Sequence, residues 1–226
     1  MSRPVPDLRY EHQFCDEGLA IIAGLDEAGR GAWAGPVAAG AVILPLERVD
    51  LLAALEGVRD SKLCTARERE RLDRVVREVA EGVGVGMAAV EEIDALGIAS
   101  ATRLAMRRAL EALPVSPQAL LIDYVRLRDV KIPQRSIVKG DQKSCSIAAA
   151  SIVAKVARDR LMVELDAEYS GYGLAAHKGY GTARHQAALN ELGPCLQHRR
   201  SFAPIRERLM AAVDAGFALP VSPQRR

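Results

Sequence analysis

Four carboxylates stand where short apolar runs give out. Leu19-Ala20-Ile21-Ile22-Ala23-Gly24-Leu25 leads into Asp26-Glu27, Ala119-Leu120-Leu121-Ile122 into Asp123, and Arg135-Ser136-Ile137-Val138 into Lys139-Gly140-Asp141. These runs have the length and flanking turn residues of buried strands. An acid at the end of a buried strand is costly to ionise without a partner. A metal ion is one such partner; for the first pair, Arg30 is another. If the three strands are neighbours in one sheet, Asp26, Glu27, Asp123 and Asp141 converge on one edge. Oxygen donors with no histidine among them suit Mg²⁺ or Mn²⁺ rather than zinc. Two such ions about 3.5–4 Å apart would activate a water and stabilise the leaving oxygen in phosphodiester cleavage. Plainer roles stay open: a solvated acidic hairpin at Asp26-Glu27, and turns at Asp123 and at Gly140-Asp141.

Around the acids lie groups that favour a polyanion. Gly29 and Gly31 flank Arg30, so a polymer or phosphate can approach the main-chain amides there. Lys139-Gly140-Asp141-Gln142-Lys143-Ser144 sets two lysines around an acid just ahead of a helix, whose N-terminal amides also attract phosphate. Tyr180 sits between Gly179 and Gly181, where its ring can stack on a sugar or base or simply anchor a loop. His185 is either a proton relay or structural, and Asp159 either supports the acids or forms a surface ion pair. The late run His198, Arg199, Arg200, Arg206 and Arg208 reads as a phosphate-facing or solvated flank.

The elements that must position these residues follow from periodicity. Residues 1–18, with Pro4 and Pro6, read as a flexible lead-in. Strands follow at about 19–26 and 36–44. Thr65 with Glu68 forms a capping-box signal ahead of a helix over 66–81. A strand at 83–90, a helix at 91–113, strands at 119–122 and 135–138 and a long helix at 144–169 complete the main run. Its small residues (Ala148-Ala149-Ala150) read as packing. Further helices are expected at 182–192 and 203–215. This order predicts a three-layer α/β domain over 19–195, with a mixed five-stranded sheet flanked by helices. A small helical C-terminal extension at 196–219 and a tail at 220–226 follow.

Composition sets the class. The chain has 226 residues, 49% hydrophobic and 27% charged, with 31 basic against 29 acidic residues. That is ordinary for a globular domain, and the net charge of +2 means any phosphate-binding surface must come from local clustering. The four scattered cysteines form no C-x-x-C pair, which argues against zinc and a disulfide framework. With no apolar signal core and no membrane-length run, a cytoplasmic protein is expected. No P-loop pattern is present, which argues against nucleotide hydrolysis.

Five blocks in order carry a family resemblance: Asp26-Glu27-Ala28-Gly29-Arg30-Gly31 with Gly35-Pro36-Val37, Asp60-Ser61-Lys62, Lys139-Gly140-Asp141, the Ala148-to-Lys155 helix with Arg158-Asp159, and Gly179-Tyr180-Gly181-Thr182. Together they span nearly all of 20–210 and closely resemble ribonuclease HII. The resemblance implies an RNase-H-like fold and metal-dependent cleavage of RNA in RNA/DNA hybrids. It also implies incision 5′ to single ribonucleotides in duplex DNA, leaving 3′-hydroxyl and 5′-phosphate ends. By it, Asp26, Glu27, Asp123 and Asp141 hold two Mg²⁺ or Mn²⁺ ions with substrate. Gly29, Arg30 and Gly31 read the 2′-hydroxyl, Tyr180 stacks on the following deoxyribose, and Lys62, Lys143 and Ser144 contact the substrate. The chain departs from the family at Tyr124, where glycine is frequent, and at Ala32-Trp33, where proline-leucine is frequent. A ribonuclease HIII would carry an N-terminal platform domain, against which the short stretch before the first strand argues. Other readings are a relative preferring long hybrids and a non-catalytic hybrid- or DNA-binding protein. A monomer is expected; a replication-clamp partner is not legible in the sequence.

Overall fold

The structure is a computed structural model that describes residues 5–214. In chain order the elements are α1 (Arg9–Asp16), β1 (Ile22–Ala28), β2 (Val37–Ile43), α2 (Leu51–Ala54), α3 (Ala66–Val79), β3 (Gly82–Ala88), α4 (Val90–Leu96), α5 (Ile98–Glu111), β4 (Ala119–Asp123), β5 (Gln134–Ile137), α6 (Cys145–Glu168), α7 (Leu174–His177), α8 (Ala183–Leu192) and α9 (Ala203–Asp214). Single 3₁₀ turns lie at Ser61–Leu63 and Gly140–Gln142. The strands form one five-stranded sheet in the order β3-β2-β1-β4-β5. β1 runs antiparallel to β2 and parallel to β4, and β4 runs parallel to β5, so the sheet is mixed as expected. The tail at 220–226 lies outside the described residues.

By its packing the chain divides into two compact units, residues 5–28, 38–87 and 102–157, and residues 29–37, 88–101 and 158–214. The first holds the sheet. β2 is buried at every position, the mark of a strand covered on both faces. Close approach of helices explains its glycines. A Cβ on Gly24 would stand 2.2 Å from the Ser146 carbonyl carbon, and one on Gly40 2.4 Å from the Ala150 carbonyl oxygen. The small residues of α6 are therefore packing groups, as the sequence suggested. Val42, Leu44, Leu51, Leu72, Val76, Ile152 and Val153 fill one core. Phe14, Ile22, Leu121, Ile137 and Ile147 fill another. Burial of each such side chain contributes about 1.5–3 kcal/mol. In the second unit Met162, Leu165, Tyr169, Tyr172, Leu174, Leu189 and Ile205 form the core.

The capping box is present: Glu68 N donates to Thr65 Oγ1 at 3.2 Å, and Thr65 N to Glu68 Oε2 at 2.7 Å. Three expectations change. Residues 9–16, read as part of an irregular lead-in, form α1. Pro4 and Pro6 precede that helix and so do not break it. Its Glu11 is fully buried, and its Oε1 accepts from Ser146 N (2.9 Å), Ser146 Oγ (2.7 Å) and Ser144 Oγ (2.6 Å). A carboxylate thus caps the start of α6, where the helix dipole favours negative charge. The single helix expected at 91–113 is two helices, broken at Gly97, whose φ of +76° favours glycine. The first strand runs on to Ala28, so Asp26 and Glu27 lie within it and face opposite sides.

Candidate active site

The acid edge is built by the parallel strands of the first unit. β1 pairs with β4 in the register Leu25↔Ile122, so Asp26 and Asp123 are the next residues along neighbouring strands. β5 then leads into the 3₁₀ turn carrying Asp141. The N–H of Gly140 donates to Asp123 Oδ1 at 2.7 Å, tying that turn to the end of β4. These are the carboxyl ends of the strands, where open α/β sheets place their ligands.

The acids feel one another. Burial, then the charges of Glu27 and Asp123, push the Asp26 carboxyl well above the usual range; a hydrogen bond from Ser151 opposes this and Asp141 adds to it. Asp141 is pushed up to about 6, by burial first and then by Asp60 and Asp123, with Lys62 opposing. The Lys62 ammonium lies 3.9 Å from Asp141 Oδ2 and 4.0 Å from Asp60 Oδ1, and its side chain is largely exposed. Desolvation lowers its pKa, but Asp60, Asp26, Asp141 and Asp123 outweigh that and raise it. One exposed ammonium does not neutralise so many carboxylates. Among the described residues no three histidine, cysteine, aspartate or glutamate side chains form a ready-made metal cage. Neighbouring acids instead raise the Asp26 and Asp141 carboxyls. That suits a hard cation that keeps several waters and takes substrate oxygens as ligands.

Asp60 and Ser151 extend this edge. Asp60 is buried, accepts from Lys62 N at 2.9 Å and from Gln142 Nε2 at 3.2 Å, and thereby braces the lysine turn against the Asp141 turn. Ser151 Oγ donates to Ser61 Oγ at 3.0 Å. The Asp60-Ser61-Lys62 block was visible, but only its lysine was singled out. Lys143 is exposed, with Nζ on the Val138 carbonyl at 2.9 Å. Ser144 is fully buried and its hydroxyl is engaged by Glu11, so its side chain holds the start of α6 rather than facing solvent. Tyr124 adopts φ +57° and is 67% exposed; a glycine would take this left-handed backbone without strain. A groove lined by His12, Cys15, Leu19, Ile21, Leu44 and Glu81 lies at the other end of β1 and includes none of these four acids.

Gly29, Arg30, Gly31 and Tyr180 belong to the second unit. Gly29 (φ +85°) and Gly35 (φ +77°) shape the loop after β1. Trp33 N and Ala34 N donate to the Gly179 carbonyl at 2.8 and 3.3 Å, joining that loop to the segment bearing Tyr180. A Cβ on Gly181 would fall 2.1 Å from the Trp33 ring, which therefore packs on this segment. Tyr180 is 38% exposed, with Arg158 Cζ 5.7 Å from its ring centroid. His185 and His198 are fully buried and bonded Nε2 to Nε2 at 3.0 Å. His185 Nδ1 meets the Tyr180 carbonyl at 3.0 Å, and Cys195 N donates to His198 Nδ1 at 2.9 Å. Burial foremost lowers them to about 4 and about 3, so both are neutral and structural at neutral pH. The expected basic flank divides: Arg200 and Arg206 are exposed, whereas His198 and Arg199 are fully buried.

A mixed five-stranded sheet flanked by helices, with acids at the carboxyl ends of its central strands, defines an RNase-H-like fold. Ribonuclease H2 from Pyrococcus horikoshii OT3 shares it at TM-score 0.71 and 26% identity, over 84% of this chain and 97% of that one. The ribonuclease HII family model matches residues 23–205. Ribonuclease HII of Chloroflexus aurantiacus is 52% identical over 210 residues, 92% of this chain and 98% of that protein. A ribonuclease HII of Thermus thermophilus is 51% identical over 197 residues, 87% of this chain and 93% of that protein. The chain belongs to the ribonuclease HII family and is a ribonuclease H enzyme of type 2.

Proposed function

We propose that this ribonuclease cleaves the RNA strand of RNA/DNA hybrids and incises 5′ to single ribonucleotides in duplex DNA, leaving 3′-hydroxyl and 5′-phosphate ends. Its role is the removal of misincorporated ribonucleotides. The observation that carries the reading is the gathering of Asp26, Asp123 and Asp141 at the carboxyl ends of β1, β4 and β5, where burial and neighbouring acids raise the Asp26 and Asp141 carboxyls; a divalent cation would offset that charge. Mg²⁺ or Mn²⁺ held there supplies activation of the attacking water and neutralisation of the leaving oxygen. Asp26, Glu27, Asp123 and Asp141 would hold it. The N–H groups of Glu27 and Gly140 hold Asp26 Oδ1 and Asp123 Oδ1 in orientation by hydrogen bonds of 2.7 Å each. Lys62, ahead of the acid edge, attracts the scissile phosphate, and exposed Lys143 a neighbouring one.

Selectivity is assigned to the 29–31 loop and Tyr180. The 2′-hydroxyl separates RNA from DNA. Backbone groups of Gly29, Arg30 and Gly31 read it, and Tyr180 stacks on the sugar that follows. Backbone readout fits a loop whose glycines leave the main chain uncovered.

The test is an end-labelled DNA duplex with one ribonucleotide, incubated with and without Mg²⁺ beside an all-DNA control. A single metal-dependent cut 5′ to the ribonucleotide is expected, with the control intact. Efficient cutting of a long hybrid without junction incision would remove the roles given to Tyr180 and the glycine loop. No cut of either substrate with Mg²⁺ or Mn²⁺ would overturn the catalytic reading.

A further inference from the structure

Two arginines lie buried in the second unit, and both spend their donors on main-chain carbonyls. Arg199 is fully buried. Its Nε donates to the Gly35 carbonyl at 3.0 Å, Nη1 to the Arg30 carbonyl at 2.8 Å and Nη2 to the Gly29 carbonyl at 2.7 Å. Arg158, equally buried, donates Nε to the Pro36 carbonyl (2.9 Å), Nη2 to the Ala34 carbonyl (3.0 Å) and Nη1 to the Lys178 carbonyl (2.9 Å). The same guanidinium lies by the Tyr180 ring and fills the space above Gly29. A Cβ on Gly29 would stand 1.8 Å from its Nε. The two heads thus grip the 29–36 loop at five carbonyls and the 178–180 segment at one carbonyl and one ring. Burial lowers both pKa values, that of Arg199 to about 9; a guanidinium with several carbonyl acceptors keeps its charge.

The consequence for the loop follows from peptide geometry. In a trans peptide the C=O and the following N–H point in opposite directions. Arg199 fixes the carbonyls of Gly29 and Arg30 toward its own head. The N–H groups of Arg30 and Gly31 must then be directed away from that head. A carbonyl polarised by a cation also makes the N–H of its own amide a stronger donor. Lysine cannot reproduce this, because its ammonium lacks the planar fork that spans several acceptors.

We propose that Arg158 and Arg199 are positioning residues for ribose discrimination: together they hold the amides of Arg30 and Gly31 outward, and Arg158 sets Tyr180 against the same loop. The proposal rests on the reading of that loop as the ribose reader. It assigns Arg199 to architecture, so the residue makes no phosphate contact. It also gives Gly29 a second role, as the gap that admits the Arg158 guanidinium.

The test compares affinity for a duplex with one ribonucleotide against the same all-DNA duplex, in Ca²⁺ to prevent turnover, for the unaltered protein, Arg199→Lys and Arg158→Lys. Each variant is expected to lose at least fivefold in the ribonucleotide-to-DNA affinity ratio, with all-DNA affinity kept within twofold. Leu72→Ala, a core change in the first unit, is expected to lower Tm while leaving the ratio intact. An unchanged ratio in both arginine variants, or an equal loss on both duplexes, would overturn the proposal. If the variants fail to fold, hydrogen exchange in the unaltered protein replaces them. Protection of the 29–31 amides by the ribonucleotide duplex alone is expected, and its absence overturns the proposal. No preference for the ribonucleotide in the unaltered protein would show instead that the loop reading beneath it is wrong.

Discussion

The acid edge and the arginine-backed loop answer the same electrostatic problem in opposite ways. Both bury charge, which is expensive unless each charge finds polar partners. Around Arg158 and Arg199 every one of six donors given above meets a carbonyl at 2.7–3.0 Å. Around Asp26 and Asp141 the neighbours are mostly further acids, and the carboxyl pKa values rise. The first arrangement is complete in the folded chain and acts as scaffold. The second sets acid beside acid, the arrangement proposed above to take a cation. Charge alone does not mark a functional group; what separates these regions is whether the fold itself satisfies it.

Removing an acid should separate the two regions most sharply. Asp26→Asn is expected to cut turnover by about 1000-fold, since metal-assisted stabilisation of the transition state is worth several kcal/mol. Its Tm should hold or rise, because a repulsive buried charge is gone; a steady-state assay beside a thermal melt reads both. A fall in Tm with full activity would place Asp26 among structural acids. Next, Mg²⁺ should stabilise the unaltered protein by about 2.7 kcal/mol at a hundredfold excess over Kd. The shift should shrink in Asp26→Asn and persist in Arg199→Lys.

The histidine pair offers a pH test of the scaffold side. His185 and His198 are held neutral at about 4 and about 3, below the ordinary histidine value. Below about pH 6.5 the unfolded chain therefore takes up protons that the folded chain refuses, and stability falls as pH falls. Between pH 6.5 and 5 the loss should be on the order of 3 kcal/mol for the pair. Denaturant melts across that range check it, and Asn at either position should flatten the slope.

Tyr180→Ala should lower junction incision by up to about tenfold, since a ring packed on a sugar is worth no more than the roughly 1–3 kcal/mol of a ring stacked on a base. An equal drop in melting temperature and in long-hybrid cleavage would make the ring an anchor. Smallest, and touching neither region, Thr65→Ala should cost about 1 kcal/mol by removing the helix cap, with activity unchanged.

What was legible in the sequence was local. The acids showed because each follows an apolar run, and the Thr65–Glu68 cap because its signature spans three residues. The glycine-flanked loops at 29–31 and 179–181 showed for the same reason. Arg199 did not, since its partners lie 164 to 170 residues away in the chain and are carbonyls, which carry no sequence signal. Placed beside His198 and Arg200, it reads as a member of a basic flank. Glu11 was hidden likewise: a lone acid in a polar N-terminal stretch gives no hint that it caps α6 133 to 135 residues on. Ser144 was expected to contact substrate from the resemblance alone, whereas its place at the start of α6 lets Glu11 capture its hydroxyl. Gly97 broke the helix expected at 91–113 although apolar periodicity continues across it.

The central claim is that the acid edge is a divalent-cation site that drives cleavage of the RNA strand. Its most direct test is the rate of cutting of an RNA/DNA hybrid by the unaltered protein and by Asp26→Asn, titrated with Mg²⁺ from zero. The account predicts no cutting without metal, saturable cutting by the unaltered protein, and a rate about 1000-fold lower for the variant at every concentration. Metal-independent cutting, or equal rates for the two proteins, would contradict it.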